Sequence, residues 1–269
     1  MEPSTPARAA SPTADPARNE AVLSCILDMG ELLLTSGAEV MRVEDTISRL
    51  CAVYGFSKAD VFTITSSIVL TVHTPEGRVI TQTRRIMARD TDLGRVERVN
   101  ALSRSLCARP VDVPRFRQAV DGLRRAPAYP LQAQCAMYAM ISAAFSIFFG
   151  GTFSDALAAA CSGVLLFASL RFGARLRLNS ILLNLLSSML AALAVVAMVS
   201  LGLGQNPDKI TIGNIMLLIP GIAFTTSLRD MISGDTMAGL LRFSEACILA
   251  LAIAAGYLLA SACLGGAAV

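Results

Sequence analysis

Residues 131–150 read LQAQCAMYAMISAAFSIFFG, and residues 178–207 read LNSILLNLLSSMLAALAVVAMVSLGLGQNP. Neither stretch holds a Lys, Arg, Asp or Glu. Each is long enough to cross about 30 Å of hydrocarbon, which takes roughly 20 helical residues. Ile210 to Leu228 and Ala246 to Val269 share the property. Phe153 to Leu170 adds a further span, provided that Asp155, at its start, lies at the membrane interface. Helices that are apolar on every side and joined by short connections have no face to give water. In lipid, by contrast, an α-helix satisfies its own backbone. Residues 131–269 are therefore expected to be an all-α polytopic transmembrane domain of about five helices, with the lipid bilayer as solvent.

The charge distribution separates this half from the rest. Of 23 Lys and Arg residues 17 precede Leu131, as do 15 of the 20 Asp and Glu, so the surplus of apolar residues (54% of the chain, mean hydropathy +0.59) lies in the second half. Residues 1–19, rich in Pro, Ala and Ser and without an apolar run, read as a disordered tail. From Glu20 the spacing of Val22, Leu23, Ile26, Leu27, Leu33 and Leu34 is helical and stops at Ser36 and Gly37. A second helix is predicted from Ala38 to Tyr54, ended by Gly55. Val61 to Val72 is dominated by Val, Ile, Thr and Phe, which suit strands. A turn at Thr74 to Gly77 followed by alternation over Arg78 to Thr83 makes a hairpin. Helices over Leu93–Cys107 and Pro114–Arg124 complete a cytoplasmic α+β domain at 20–127, the latter helix opening on Pro in its first turn.

The basic residues orient the chain. Arg115, Arg117, Arg124 and Arg125 precede the first span, and Arg171, Arg175 and Arg177 lie between the second and third, whereas the Gly150 to Ser154 turn has none. By the positive-inside rule this puts the N-terminus in the cytoplasm and, with five spans, the C-terminus in the periplasm, in a multi-pass protein of the inner membrane. A net charge of +3 with interspersed signs gives no nucleic-acid footprint. Seven scattered cysteines without CxxC spacing argue against a disulfide framework or a zinc site, and read as small apolar fillers. His73, the single histidine, reads as a strand residue, so no metal or cofactor is expected. P-loop, GxSxG, HExxH and Rossmann fingerprints do not occur, which argues against an enzyme.

The densest set of candidate residues is at the fourth span and beyond it: Pro220, Gly221, Thr225, Thr226, Arg229, Asp230, Asp235, Arg242 and Glu245. Pro and Gly inside an apolar span free backbone groups that lipid cannot satisfy, and secondary transporters build substrate sites at such broken helices. A kink leading to a solvated loop is the plainer account. If 235–245 is helical, Asp235, Gly239 and Arg242 share a face at i, i+4 and i+7, which pairs Asp235 with Arg242. Asp230 lies off that face unless the Gly234 region turns the chain, and is assigned a proton-coupling role. Gln134, Tyr138, Ser142 and Ser146 form a four-residue stripe on the first span, and Ser180, Asn184 and Ser187 one on the third. Helix packing is the favoured role of both stripes. Asn184 is singled out because a carboxamide near mid-span needs a partner. In the soluble half, Gly37, Glu39, Arg42 and Glu44 cluster at the start of the second helix, where acids also suit the positive helix end.

These residues carry a resemblance. Gly37-Ala38-Glu39-Val40-Met41-Arg42-Val43-Glu44, the Thr/Ser/Ile/Val strand with its Glu76-Gly77 turn, and Pro220-Gly221 leading to Arg229-Asp230, Gly234-Asp235, Gly239, Arg242 and Glu245 together resemble the threonine/serine exporter family. The resemblance extends over nearly all of Glu20 to Leu264. It implies export of small metabolites, threonine and serine in some members and succinate in others, coupled to an ion gradient, here taken as protons. Full-length members carry a second, smaller membrane block. The resemblance therefore implies the larger subunit of a split exporter that works with a small, separately encoded membrane subunit and a small-molecule substrate. A homo-oligomer is compatible with it. The alternative is a membrane-anchored ligand sensor or regulator, but spans with internal Pro, Gly and Asn are more than an anchor requires.

Overall fold

The computed structural model describes residues 16–87, 90–126 and 129–264. It packs as two units. One comprises the described residues up to Ala126 together with Thr225–Arg242; the other comprises the rest up to Phe224 and the chain from Phe243 onward.

The first unit is built around α1 (Pro16–Thr35). Most of its circumference is apolar, with Ser24, Asp28 and Glu31 left on the one partly exposed face. Val22, Leu23, Cys25, Ile26, Leu27, Met29, Leu33 and Leu34 are all buried. The helix opens four residues before the Glu20 start read from periodicity, with Asn19 already buried. Residues 16–19 are thus helical, and the remainder of the predicted tail lies outside the described residues. Helix α2 (Val40–Val53) buries its Val43, Ile47, Leu50 stripe, and Gly30 on α1 lets it approach closely, since a Cβ there would lie 2.7 Å from Ile47 Cδ1.

Strands β1 (Lys58–Ile64), β2 (Ser67–His73) and β3 (Val79–Arg85) form an antiparallel sheet in that order. The run read as strand from Val61 to Val72 turns at Thr65 and Ser66, and the expected second hairpin follows. Ile68, Leu70 and Val72 of β2 are fully buried, while His73 ends the strand as a half-buried residue. Helix α3 (Leu93–Ala108) is capped by the Asp92 carboxylate, which accepts from the Arg95 amide, and α4 (Val113–Arg125) has Pro in its first turn. Phe116 and Val120 of α4 join the core. Arg84 of β3 and Arg124 of α4 converge on Asp28 of α1, at 2.8 and 3.0 Å. Cys25 and Cys51 are the apolar fillers that composition suggested, burial pushing the Cys51 thiol up to about 12, whereas Cys161 and Cys263 are exposed.

The second unit is helical. Helices α5 (Leu131–Phe148), α6 (Phe153–Arg175), α7 (Ser180–Ser200) and α10 (Thr236–Cys263) are each long and apolar enough to cross a membrane. Helices α8 (Pro207–Leu218) and α9 (Gly221–Ile232) make a fifth span only as a pair, bent by 50°. The bend falls where Pro220 has no amide to extend the ladder. Leu157, Leu190, Leu251 and Leu258 are exposed, as an apolar solvent requires. Asp155 is tolerated because it sits in the first turn of α6 and forms a capping box with Thr152.

Candidate functional site

Two segments far apart in the sequence meet at the first turn of α2, within the first unit. Gly37 adopts φ +87°, a left-handed conformation that suits glycine, and turns the chain out of α1. Glu39, the N-cap of α2, is extended and makes no side-chain cap, so the first amides of α2 need other acceptors. The Val40 amide donates to Asp230 Oδ1 at 3.2 Å. The other carboxylate oxygen of Asp230 lies 3.1 Å from Arg242 Nη1, and Arg242 Nη2 donates to the Ala38 carbonyl at 3.2 Å. Asp230 is 1% exposed and Arg242 5%. The acid thus sits at the positive end of a helix, and the guanidinium neutralises it while serving a backbone carbonyl.

The hairpin that brings these residues together is the turn the sequence left open. Gly234, at φ +103°, reverses the chain, the Asp235 amide donates to the Asp230 carbonyl at 2.9 Å, and α10 returns beside α9. A Cβ on Gly239 would lie 2.7 Å from the Ser227 carbonyl oxygen, so glycine is what allows this crossing. The charge pair expected between Asp235 and Arg242 is therefore made by Asp230. Asp235 precedes α10 and accepts from the Gly239 amide through its own carbonyl at 2.9 Å.

Around this core Glu39 pairs with Arg229 at 2.9 Å and stands 4.0 Å from Arg42. Both arginines are substantially exposed, which limits what either pair contributes to stability. Glu44, one turn on, accepts from the Thr63 amide at 2.8 Å. Burial pushes its carboxyl upward from the ordinary value, the charge of Asp235 adds to the shift, and the Thr63 bond opposes it. A carboxyl whose folded pKa is raised contributes fully only below its unfolded value, and that contribution is lost as pH rises through the folded pKa. Glu44→Gln retains an acceptor for Thr63. It should therefore gain thermal stability relative to the parent as pH rises from about 4 towards neutrality, the range above the unperturbed carboxylate. Parallel melting curves of the two proteins across that range check this; a constant difference would mean that Glu44 is not desolvated.

The remaining candidates are dispersed. Pro220 and Gly221 form the break itself, with the Gly221 amide donating to the Ile219 carbonyl at 2.8 Å. Thr226 is half-buried on α9, while Thr225 and, on α10, Glu245 are exposed. Asn184 lies in the second turn of α7, away from mid-span, and its amide donates to the Ser180 carbonyl of its own helix at 2.8 Å.

The sequence reading missed Asn214. It is fully buried on α8; its Oδ1 accepts from Ser142 of α5 at 3.0 Å, and its amide donates to Ser162 of α6 at 2.7 Å. One polar residue in an apolar run gives no periodic signal; only the three-residue spacing of Thr211 and Asn214 hinted at a polar face.

A family model described as "Putative threonine/serine exporter" matches residues 24–264. Among curated proteins, the "Probable threonine/serine exporter" of Mycobacterium tuberculosis is 27% identical over 244 residues, covering 88% of this chain and 45% of that protein. The "Threonine/serine exporter" of Corynebacterium glutamicum is 23% identical over 242 residues, covering 87% of this chain and 50% of that protein. The chain spans about half the length of these relatives. No solved structure matches it. With the family model matched across both units and over the hairpin that holds Asp230 and Arg242, the chain belongs to the threonine/serine exporter family.

Proposed function

We propose that this chain is a subunit of an inner-membrane secondary exporter of small metabolites, threonine and serine first and a dicarboxylate such as succinate second, driven by the proton gradient. The observation that carries this reading is the broken α8–α9 span, whose far half is tied through Asp230 and Arg242 to the first turn of α2. Broken helices are where secondary transporters expose backbone groups to substrate. A buried tie to a folded soluble unit gives such a half-helix a lever. Asp230, paired with Arg242 at 3.1 Å, keeps the proposed coupling role. Glu44, whose carboxyl burial pushes upward, is a second candidate beside it. Export is further proposed to need a smaller membrane subunit as the counterpart of the relatives' other half.

The test is counterflow in proteoliposomes containing this chain with its partner, preloaded with threonine, serine or succinate. Exchange of labelled threonine or serine, with net export responding to an imposed pH gradient, is expected. Ligand binding without flux under every gradient would favour the sensor instead. The proposed topology, with the soluble unit in the cytoplasm and the C-terminus in the periplasm, predicts that a cytoplasm-dependent reporter is active when fused after Arg125 and silent after Val269. Activity at both positions would refute the count of five crossings.

A further inference from the structure

Five buried side chains of the second unit fall on three helices: Ser142 and Ser146 on α5, Ser162 on α6, Thr211 and Asn214 on α8. Three other serines of this unit, one on α6 and two on α7, close their hydroxyls on a carbonyl one turn back. Ser169 bonds to Leu166, Ser188 to Leu185 and Ser200 to Ala197, each within 2.9 Å. Ser146 Oγ and Thr211 Oγ1 do not. Both are buried and neither has a hydrogen-bond partner.

Their level is fixed by the close approaches of α5 and α8. A Cβ on Gly213 would meet the Ser142 carbonyl at 2.5 Å, and one on Gly151 would lie 3.2 Å from Lys209 Cβ, so the two helices run antiparallel. Ser146 is four residues beyond Ser142, and Thr211 three before Asn214. The two orphan hydroxyls therefore share one level, a turn from the carboxamide that joins Ser142 and Ser162. Leaving a buried hydroxyl unpaired costs about 1–3 kcal/mol, which alanine and valine at these positions would avoid. Packing alone does not account for them.

We propose that Ser142, Ser146, Ser162, Thr211 and Asn214 form the binding site for the hydroxyl-bearing side chain of a small amino acid. This deepens the exporter reading and rests on it. The cluster contains no ionisable group, so it suits an uncharged partner and not a carboxylate or ammonium. A hydroxyl both donates and accepts, which matches unpaired Ser and Thr hydroxyls beside an amide. Entry requires α8 to part from α5. This half-helix of 12 residues, bounded by Pro207 and the break at Pro220, is free of a continuous ladder at both ends. A site that hydrogen-bonds a hydroxyl can reject the analogue lacking it by up to about 10⁴-fold.

The experiment uses the full chain with its partner, in counterflow and in thermal-shift binding, with serine, threonine, alanine and 2-aminobutyrate as probes. The parent should prefer serine over alanine and threonine over 2-aminobutyrate by about 100-fold or more. Thr211→Val and Ser146→Ala, which remove only the orphan hydroxyls, should fold at least as stably without substrate and reduce both preferences at least tenfold. Unchanged preference in both variants would overturn the proposal, as would a parent that does not distinguish serine from alanine. Serine-dependent stabilisation lost in the variants, with no flux in the parent, would uphold this site and refute the exporter reading. Absence of both flux and stabilisation in the parent would overturn the two together.

Discussion

Arg242→Ala is expected to destabilise the folded protein by about 3–5 kcal/mol, the range for removing one member of a buried ion pair. The substitution leaves the Asp230 carboxylate buried against the first turn of α2 with a single backbone amide to compensate it, and deprives the Ala38 carbonyl of its guanidinium donor. Adding Asp230→Asn should recover part of the loss. The carboxamide oxygen can still accept from Val40, and no buried charge remains. Arg242→Lys should fall between, because an ammonium lacks the planar fork that reaches Asp230 and Ala38 at once. Asp235→Asn, by contrast, removes a charge that makes no pair with Arg242, and its effect should be small. Yield and thermal unfolding of the purified proteins in one detergent check the series. An Arg242→Ala variant as stable as the parent would show that the pair is not closed in the folded protein. Equal losses for Asp230→Asn and Asp235→Asn would return Arg242 to Asp235.

That series also marks what local pattern can and cannot reveal. The elements were legible because each had a strong period or none. The stripes of α1 and α2 repeat at helical spacing, β2 alternates, and the charge-free runs are long enough to cross hydrocarbon. The break in the fourth span was legible because Pro220 lacks an amide, whatever surrounds it. The pairing at Arg242 was not, because helical periodicity places Asp235 on the right face, and only a left-handed Gly234 folds Asp230 onto it instead. The partners of Asp230 lie at Val40, some 190 residues earlier, and no local rule reaches so far. Asn214 was hidden for the opposite reason. Its partners, Ser142 and Ser162, sit on other helices, and each alone looks like ordinary packing in a membrane bundle.

Asp155→Ala is expected to produce the largest loss in the second unit. This carboxylate is fully buried and accepts from the amide and hydroxyl of Thr152, the amides of Gln205 and Asn206, and the Asn206 carboxamide, all within 2.9 Å. It therefore caps α6 and, through Asn206, holds the residue from which α8 starts, so one negative charge serves the positive ends of two helices. Losing a capping interaction costs about 1 kcal/mol, and each buried amide left unpaired adds about 1–3 kcal/mol. A total of roughly 3–7 kcal/mol follows if two amides lose their partner. Asp155→Asn keeps an acceptor but turns donors towards donors, and should recover less than half of the loss. Hydrogen exchange separates this from a general loss of stability. The Gln205 and Asn206 amides should exchange faster in Asp155→Asn under conditions where the α10 amides remain protected. If those two amides keep parental protection and the melting temperature is unchanged, Asp155 does not hold the α8 entry, and the short half-helix must be positioned by its packing against α5 and α6 alone.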